Sequence, residues 1–127
     1  MRGERYLADA CALIAFFTDE RLSPSARELM RRGDIAVSAI TVWEITRKAA
    51  LGNLPAQWGE GGLPALLQRR AFRPLPLTWS DAAWANQLPP LHKDPFDRIL
   101  IAQALRRDMT IVTSDRLFEG YGVKTVW

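Results

Sequence analysis

Apolar positions along this chain alternate between short continuous runs and helical spacing. "YLAD" (Tyr6–Asp9) predicts a short strand, followed by an apolar helix in "ACALIAFF". "SPSARELMRRG" places Ser23 as N-cap, Pro24 at the first helical position and Gly33 as the stop. "DIAVSA" predicts a second strand and "ITVWEITRKAALG" a helix closing at Gly52. The Gly- and Pro-rich "NLPAQWGEGGLP" predicts an exposed, mobile connection. "ALLQRRA" is helical, and "FRPLPLT" is extended because its prolines block a helix and suit an edge strand. A helix follows in "SDAAWANQL", with Ser80 as N-cap. The strongest helix is "DPFDRILIAQALRRD". "TIVTSD" predicts a buried strand, "RLFEG" a helical turn and "YGVKTVW" a last strand. No repeat or low-complexity segment interrupts the pattern.

Strands alternating with helices predict an α/β fold of one domain over residues 1–127. Its centre is a mostly parallel, short-stranded sheet flanked by helices as an α/β/α sandwich. Ligands in such sheets lie outside the carboxyl ends of the strands, so the residues there are the candidates for chemistry.

Composition narrows that chemistry. With 127 residues, 48% hydrophobic and 24% charged, the chain can bury a real core. No apolar run approaches the roughly 20 residues of a membrane span. Ala10–Phe17 is short, precedes Asp19 and Glu20, and lacks a basic region and cleavage site, so it reads as a core helix and not a signal peptide. The single cysteine, Cys11, excludes an internal disulfide, fits a reducing cytoplasm and reads as a small buried apolar residue. The single histidine, His92, excludes paired-histidine acid–base catalysis, and one Cys with one His is too few for a Cys/His zinc site. Any chemistry therefore rests on carboxylates. The net charge of +3 and isoelectric point of about 9.5 suit a polyanionic partner.

Asp9 ends the first strand and Asp115 the "TIVTSD" strand. Both therefore project at the carboxyl edge, although each also precedes a helical stretch and serves equally as an N-cap. In the helix starting at Pro95, Asp94 is the natural N-cap and Asp97 the third residue, both favoured by the helix dipole. At about 100° per residue, Asp97 aligns with Leu100, Ile101, Ala104 and Leu105, while Gln103, Arg106 and Arg107 lie on the opposite, more polar half. A carboxylate heading a buried stripe costs several kcal/mol unless compensated. Asp97 is therefore assigned to the site, and Asp94 to an exposed cap. Glu44 has a plain explanation as the i, i+4 partner of Lys48, and shares a face with Ile40 and Leu51. Four acids at one sheet edge would repel one another unless two oxygen-preferring divalent cations, Mg²⁺ or Mn²⁺, resolved it. Setting those four aside leaves 17 basic side chains against 10 acidic ones, a balance of +7. An acidic pocket on a basic body suits a metal-dependent enzyme acting on phosphodiesters.

"LADACALI", "VSAITVWEI", "HKDPFDRILIAQA" and "IVTSD", in register over nearly the whole chain, resemble a PIN-domain protein of the VapC-like toxin type from type II toxin–antitoxin systems. The resemblance implies a PIN-like sandwich and maps the family's acids onto Asp9, Glu44, Asp97 and Asp115. Its hydroxyl falls on Thr113, with Ser114 as the alternative. It implies an Mg²⁺-dependent endoribonuclease, with Mn²⁺ as alternative ion. Asp9, Asp97 and Asp115 would surround the metal, Glu44 would bridge or hold a metal-bound water, and Thr113 would orient an aspartate. Metal-activated water would cleave RNA to leave 5′ phosphate and 3′ hydroxyl. It further implies a small VapB-like antitoxin lying across the active-site groove, and a homodimer. Arg98, about 100° from Asp97 on the helix, has RNA phosphate or a structural carboxylate as candidate partners. Trp58, in the connection of Asn53–Leu63, is nominated as partner-facing. His92 is read as a loop residue.

Two other classes compete. A receiver-type signalling module also clusters aspartates around Mg²⁺. Here, however, Ala10 follows Asp9 where an acid pair is needed, "AVSA" lacks a phosphoacceptor, and Lys124 lies inside the last predicted strand. A non-catalytic nucleic-acid-binding scaffold would keep the acids without binding metal.

Overall fold

A computed structural model describes residues 4–18, 20–54 and 58–127. Asp19 and residues 55–57 of the predicted connection lie outside them. The elements run β1 (Tyr6–Ala8), α1 (Ala10–Thr18), α2 (Pro24–Arg31), β2 (Ile35–Ser38), α3 (Ala39–Ala50), α4 (Gly62–Arg69), β3 (Arg73–Leu75), α5 (Trp79–Ala85), α6 (Pro95–Arg107), β4 (Thr110–Val112), a 3₁₀ helix (Arg116–Tyr121) and β5 (Thr125–Val126). The five strands form one parallel sheet in the order β3-β2-β1-β4-β5. Pro74 sits on the edge strand β3, where its missing N–H costs no ladder bond to a further strand.

The short apolar runs of β1, β2 and β4 are buried on both faces, as strands covered by helices on two sides must be. Their side chains still alternate. Ala8, Ile35, Val37 and Val112 meet α1, α2 and α4 on one side. Leu7, Ala36 and Ile111 meet Leu100, Ile101, Ala104 and Phe118 on the other. The predicted α/β/α sandwich is thus present, with one core on each face. Among the described residues no helix is long and apolar enough to cross a membrane.

Several local expectations are corrected. The N-cap of α5 is Thr78 and not Ser80. The Thr78 hydroxyl accepts from the Asp81 N–H at 3.1 Å, and the Asp81 carboxylate accepts from the Thr78 N–H at 3.1 Å. This reciprocal box satisfies two orphan donors, so the helix starts earlier. The last strand is only Thr125–Val126, because the chain turns at Gly122 with φ of +79° and leaves Lys124 before the strand. Trp58 packs against the core, its ring 6.4 Å from that of Phe17, which removes its nomination as partner-facing. Cys11 is exposed instead of buried, its sulfur 3.6 Å from the Ser114 hydroxyl, because it lies on the side of α1 that turns away from the sheet.

The largest revision concerns α6. Its polar half is not left to water: Gln103 and Arg107 close on Asp81 of α5, and the exposed Arg106 reaches the same acid. Asp81 is fully buried and accepts from Arg107 through two bonds of 2.9 Å, from Gln103 at 3.1 Å and from Arg106. Burial alone would raise the Asp81 pKa. The hydrogen bonds from Arg107, Gln103 and Thr78 outweigh it and hold the carboxyl well below the usual range.

Candidate active site

Each of the carboxylates singled out in the sequence lies at the carboxyl edge of the sheet. Asp9 follows β1, Glu44 sits in the helix after β2, Asp115 follows β4 after a two-residue link, and Asp97 enters from the first turn of α6. All four line one cavity of about 550 Å³, together with Lys48, Asp94 and others.

Asp9 is buried, and capping and site lining coincide in it. One carboxylate oxygen accepts from the Ala12 N–H at 2.8 Å. Burial pushes its pKa up to about 6, against hydrogen bonds from Thr113 and Ala12, while Glu44 and Asp115 add repulsion. Thr113 is itself buried and accepts from the Asp115 N–H at 3.0 Å, so one hydroxyl links two of the acids. Ser114 lines the cavity, its hydroxyl 3.6 Å from the Cys11 sulfur. Glu44 makes the expected ion pair with Lys48, at 3.2 Å, and still faces the cavity. The ion pair and a place on the cavity wall therefore coexist in Glu44.

Asp97 is pushed up to about 7, first by burial and then by repulsion from Asp94 and Glu44, with His92 opposing. Asp94 caps α6 as expected, accepting from Phe96 N–H at 2.9 Å. It is not the separate exposed cap the helix pattern suggested, because the first turn of α6 faces the same cavity as Asp97.

His92 is the residue the sequence reading missed. Its Nε2 lies 2.9 Å from Asp115 Oδ2 and 3.2 Å from Asp97 Oδ2. Ligand-capable atoms of His92, Asp97 and Asp115 all fall within 4.8 Å of one another, whereas Asp9 and Glu44 line the cavity outside that trio. The Asp94 N–H donates to His92 Nδ1 at 3.2 Å, so the neutral ring keeps its proton on Nε2. His92 therefore acts as a donor that ties Asp115 to Asp97. Its ring rests edge-on against Phe118, and its backbone N–H donates to the Tyr121 hydroxyl at 2.7 Å. The local signal was its place two residues before the cap, close enough for Nδ1 to take the cap's own N–H.

Arg98 bonds backbone carbonyls in place of a structural carboxylate. It donates to the carbonyls of Pro89 at 2.9 Å, and of Ala85 and Leu88 at 3.0 Å each, with longer bonds to His92 O and the Tyr121 hydroxyl. These carbonyls lie at the end of α5 and in the loop that leads from it to His92, and the planar guanidinium bonds several of them at once.

The donor set fits a hard divalent cation. The four acids offer carboxylate oxygen, and in Asp9 and Asp97 repulsion from neighbouring acids adds to burial in raising the pKa, a repulsion that a bound cation would relieve.

Residues 6–124 match the sequence model of the PIN domain. The fold is similar to that of three solved complexes. One is FitAB bound to an IR36 DNA fragment (TM-score 0.71, 21% identity, 95% of this chain and 93% of that one). The second is FitAcB from Neisseria gonorrhoeae (0.69, 20%, 96% and 96%). The third is VapBC2 from Rickettsia felis bound to a DNA fragment of its promoter (0.72, 14%, 96% and 98%). No curated protein sequence matches this chain.

Proposed function

Since this chain belongs to the PIN domain family, we propose that it is a metal-dependent endoribonuclease of the VapC-like toxin type, acting as a single domain over residues 1–127. The observation carrying this reading is the convergence of Asp9, Glu44, Asp97 and Asp115 on one cavity with two of their pKa values raised. Asp97, Asp115 and Asp9 would hold Mg²⁺ or Mn²⁺, with Glu44 completing the set. The bound ion supplies charge neutralisation for the scissile phosphate and activation of water, giving 5′ phosphate and 3′ hydroxyl ends. The protein's own part is positional. Thr113 fixes Asp9 against Asp115, His92 fixes Asp115 against Asp97, and Lys48 limits the swing of Glu44. A small VapB-like antitoxin, a homodimeric state and a cytoplasmic location complete the proposal. A toxin–antitoxin complex from Klebsiella pneumoniae of similar fold supports the antitoxin partner.

The purified chain is expected to cleave single-stranded RNA with Mg²⁺ or Mn²⁺ and to stop on chelation. Undiminished cleavage in excess EDTA refutes the proposal. A non-catalytic scaffold predicts instead that Mn²⁺ neither binds nor moves the thermal midpoint.

Two further results are expected. Metal must displace the proton from Asp97 and Asp9, so Mn²⁺ affinity in calorimetry should drop as pH falls through about 7 and then about 6. A flat affinity across that interval contradicts it. His92→Ala should weaken Mn²⁺ binding about 10- to 100-fold, whereas His92→Gln, which keeps an N–H donor, should recover part of the loss. Unchanged affinity in His92→Ala removes the positioning role.

A further inference from the structure

Helix α3 presents two adjacent stripes to the sheet edge. Glu44 and Lys48 form one and face the acidic cavity. Trp43 and Arg47 form the other, one residue earlier on the helix, with the Arg47 guanidinium 5.6 Å from the Trp43 ring centroid. Thr41 and Ile45 occupy the buried face, which leaves Trp43 48% exposed. Across from it, Phe96 reaches over from the first turn of α6, its centroid 4.9 Å from that of Trp43 at an interplanar angle of 48°. Each aromatic residue immediately precedes a site acid, Trp43 before Glu44 and Phe96 before Asp97, on two different helices. The pair lines a cleft of about 350 Å³ that shares Glu44, Lys48 and Asp94 with the acidic cavity, so the two spaces adjoin.

We infer that this cleft is a nucleobase-stacking subsite, taking the base of a nucleotide next to the scissile phosphate of a single-stranded RNA. The inference rests on the nuclease reading and deepens it. Trp43 offers a half-exposed flat ring beside the acidic cavity, placed to stack on a second flat group. Arg47 beside it favours a partner that is also anionic. Arg47 is exposed and enters no salt bridge among the described residues, so its charge is available beside the ring. Aromatic face and neighbouring guanidinium together match a base and its phosphate, and stacking of this kind tolerates any base. The acidic cavity itself repels phosphate without metal, so this flank supplies a contact that does not depend on the ion.

The test uses Asp97→Asn protein, which holds RNA uncut, and a short single-stranded RNA carrying 2-aminopurine. Binding should quench the 2-aminopurine. Trp43→Ala in the same background should abolish the quenching and weaken RNA affinity about tenfold, with Trp43→Phe retaining most of both. The Mn²⁺ affinity of otherwise wild-type Trp43→Ala should stay unchanged, separating the subsite from the metal site. In the active protein, Trp43→Ala should raise KM more than it lowers kcat. If the wild-type chain cuts no RNA yet the quenching and its loss occur, the nuclease reading fails and the subsite stands. Unchanged RNA affinity in Trp43→Ala overturns the subsite. So does a change confined to the sedimentation of the protein or to capture of its antitoxin, which would make this face a protein interface.

Discussion

Asp97→Asn is expected to reduce RNA cleavage by at least about 100-fold and, at the same time, to stabilise the metal-free protein. The two effects share one cause. Asp97 heads the apolar face of α6, where burial and the charges of Asp94 and Glu44 raise its pKa from 3.8 to about 7. Between those values the folded protein keeps a proton that the unfolded chain has lost. Stability of the metal-free protein therefore falls as pH rises from about 4 to about 7 and stays low above it. Asparagine keeps the shape and removes the charge, so the gain should be on the order of 2 kcal/mol at neutral to alkaline pH and vanish near pH 4. Urea unfolding in EDTA at the two pH values reads it directly. Added Mg²⁺ should raise the midpoint of the wild type and leave that of the variant almost unmoved. A variant less stable than wild type at alkaline pH, or one that still cuts RNA at the wild-type rate, would show that Asp97 is an ordinary helix-start acid.

The largest loss of stability is expected far from the cavity, at Asp81→Ala. Asp81 closes the α5–α6 interface with no solvent exposure, and two arginines and Gln103 converge on it. Truncation strands those donors in a low-dielectric interface and also breaks the capping box with Thr78, for a cost of about 3–5 kcal/mol. Glu28→Ala, which breaks an exposed pair with Arg31 at 3.4 Å, should change stability by less than about 0.5 kcal/mol. The folded fraction of Asp81→Ala should bind Mn²⁺ as tightly as wild type, because none of the cavity acids touches the network. The pH signature also differs from that of Asp97. Asp81 titrates below its unfolded value, so its contribution is present at neutral pH and lost as acid protonates it. Chemical denaturation of both variants at neutral pH is the measurement. A change under about 1 kcal/mol for Asp81→Ala would mean that water relieves the stranded arginines.

Much of this protein is legible in short windows. The Ser23 and Asp94 caps, the prolines at both following positions and the continuous apolar strands identify the elements, because capping and strand burial depend on neighbours a few residues apart. The alternation of strands with helices then implies a parallel sheet, and its carboxyl edge picks out Asp9 and Asp115; the apolar stripe of α6 adds Asp97, and the family resemblance adds Glu44. Where short-range logic misled, a distant partner had changed the outcome. Gln103 and Arg107 look solvent-facing on their own helix until Asp81 arrives from α5. Trp58 looks free in its connection until Phe17 covers it.

The sequence by itself therefore determined the element order, the fold class and three of the acids, Asp9, Asp97 and Asp115, with Glu44 added by the family resemblance. Only the tertiary structure decided that those acids share one cavity, that His92 ties two of them together, and that Trp43 and Phe96 meet beside them. The reason is range. Periodicity and capping are settled within a turn or two of chain. Desolvation, charge repulsion and the tautomer of a histidine depend on groups that only the folded sheet brings within a few ångströms.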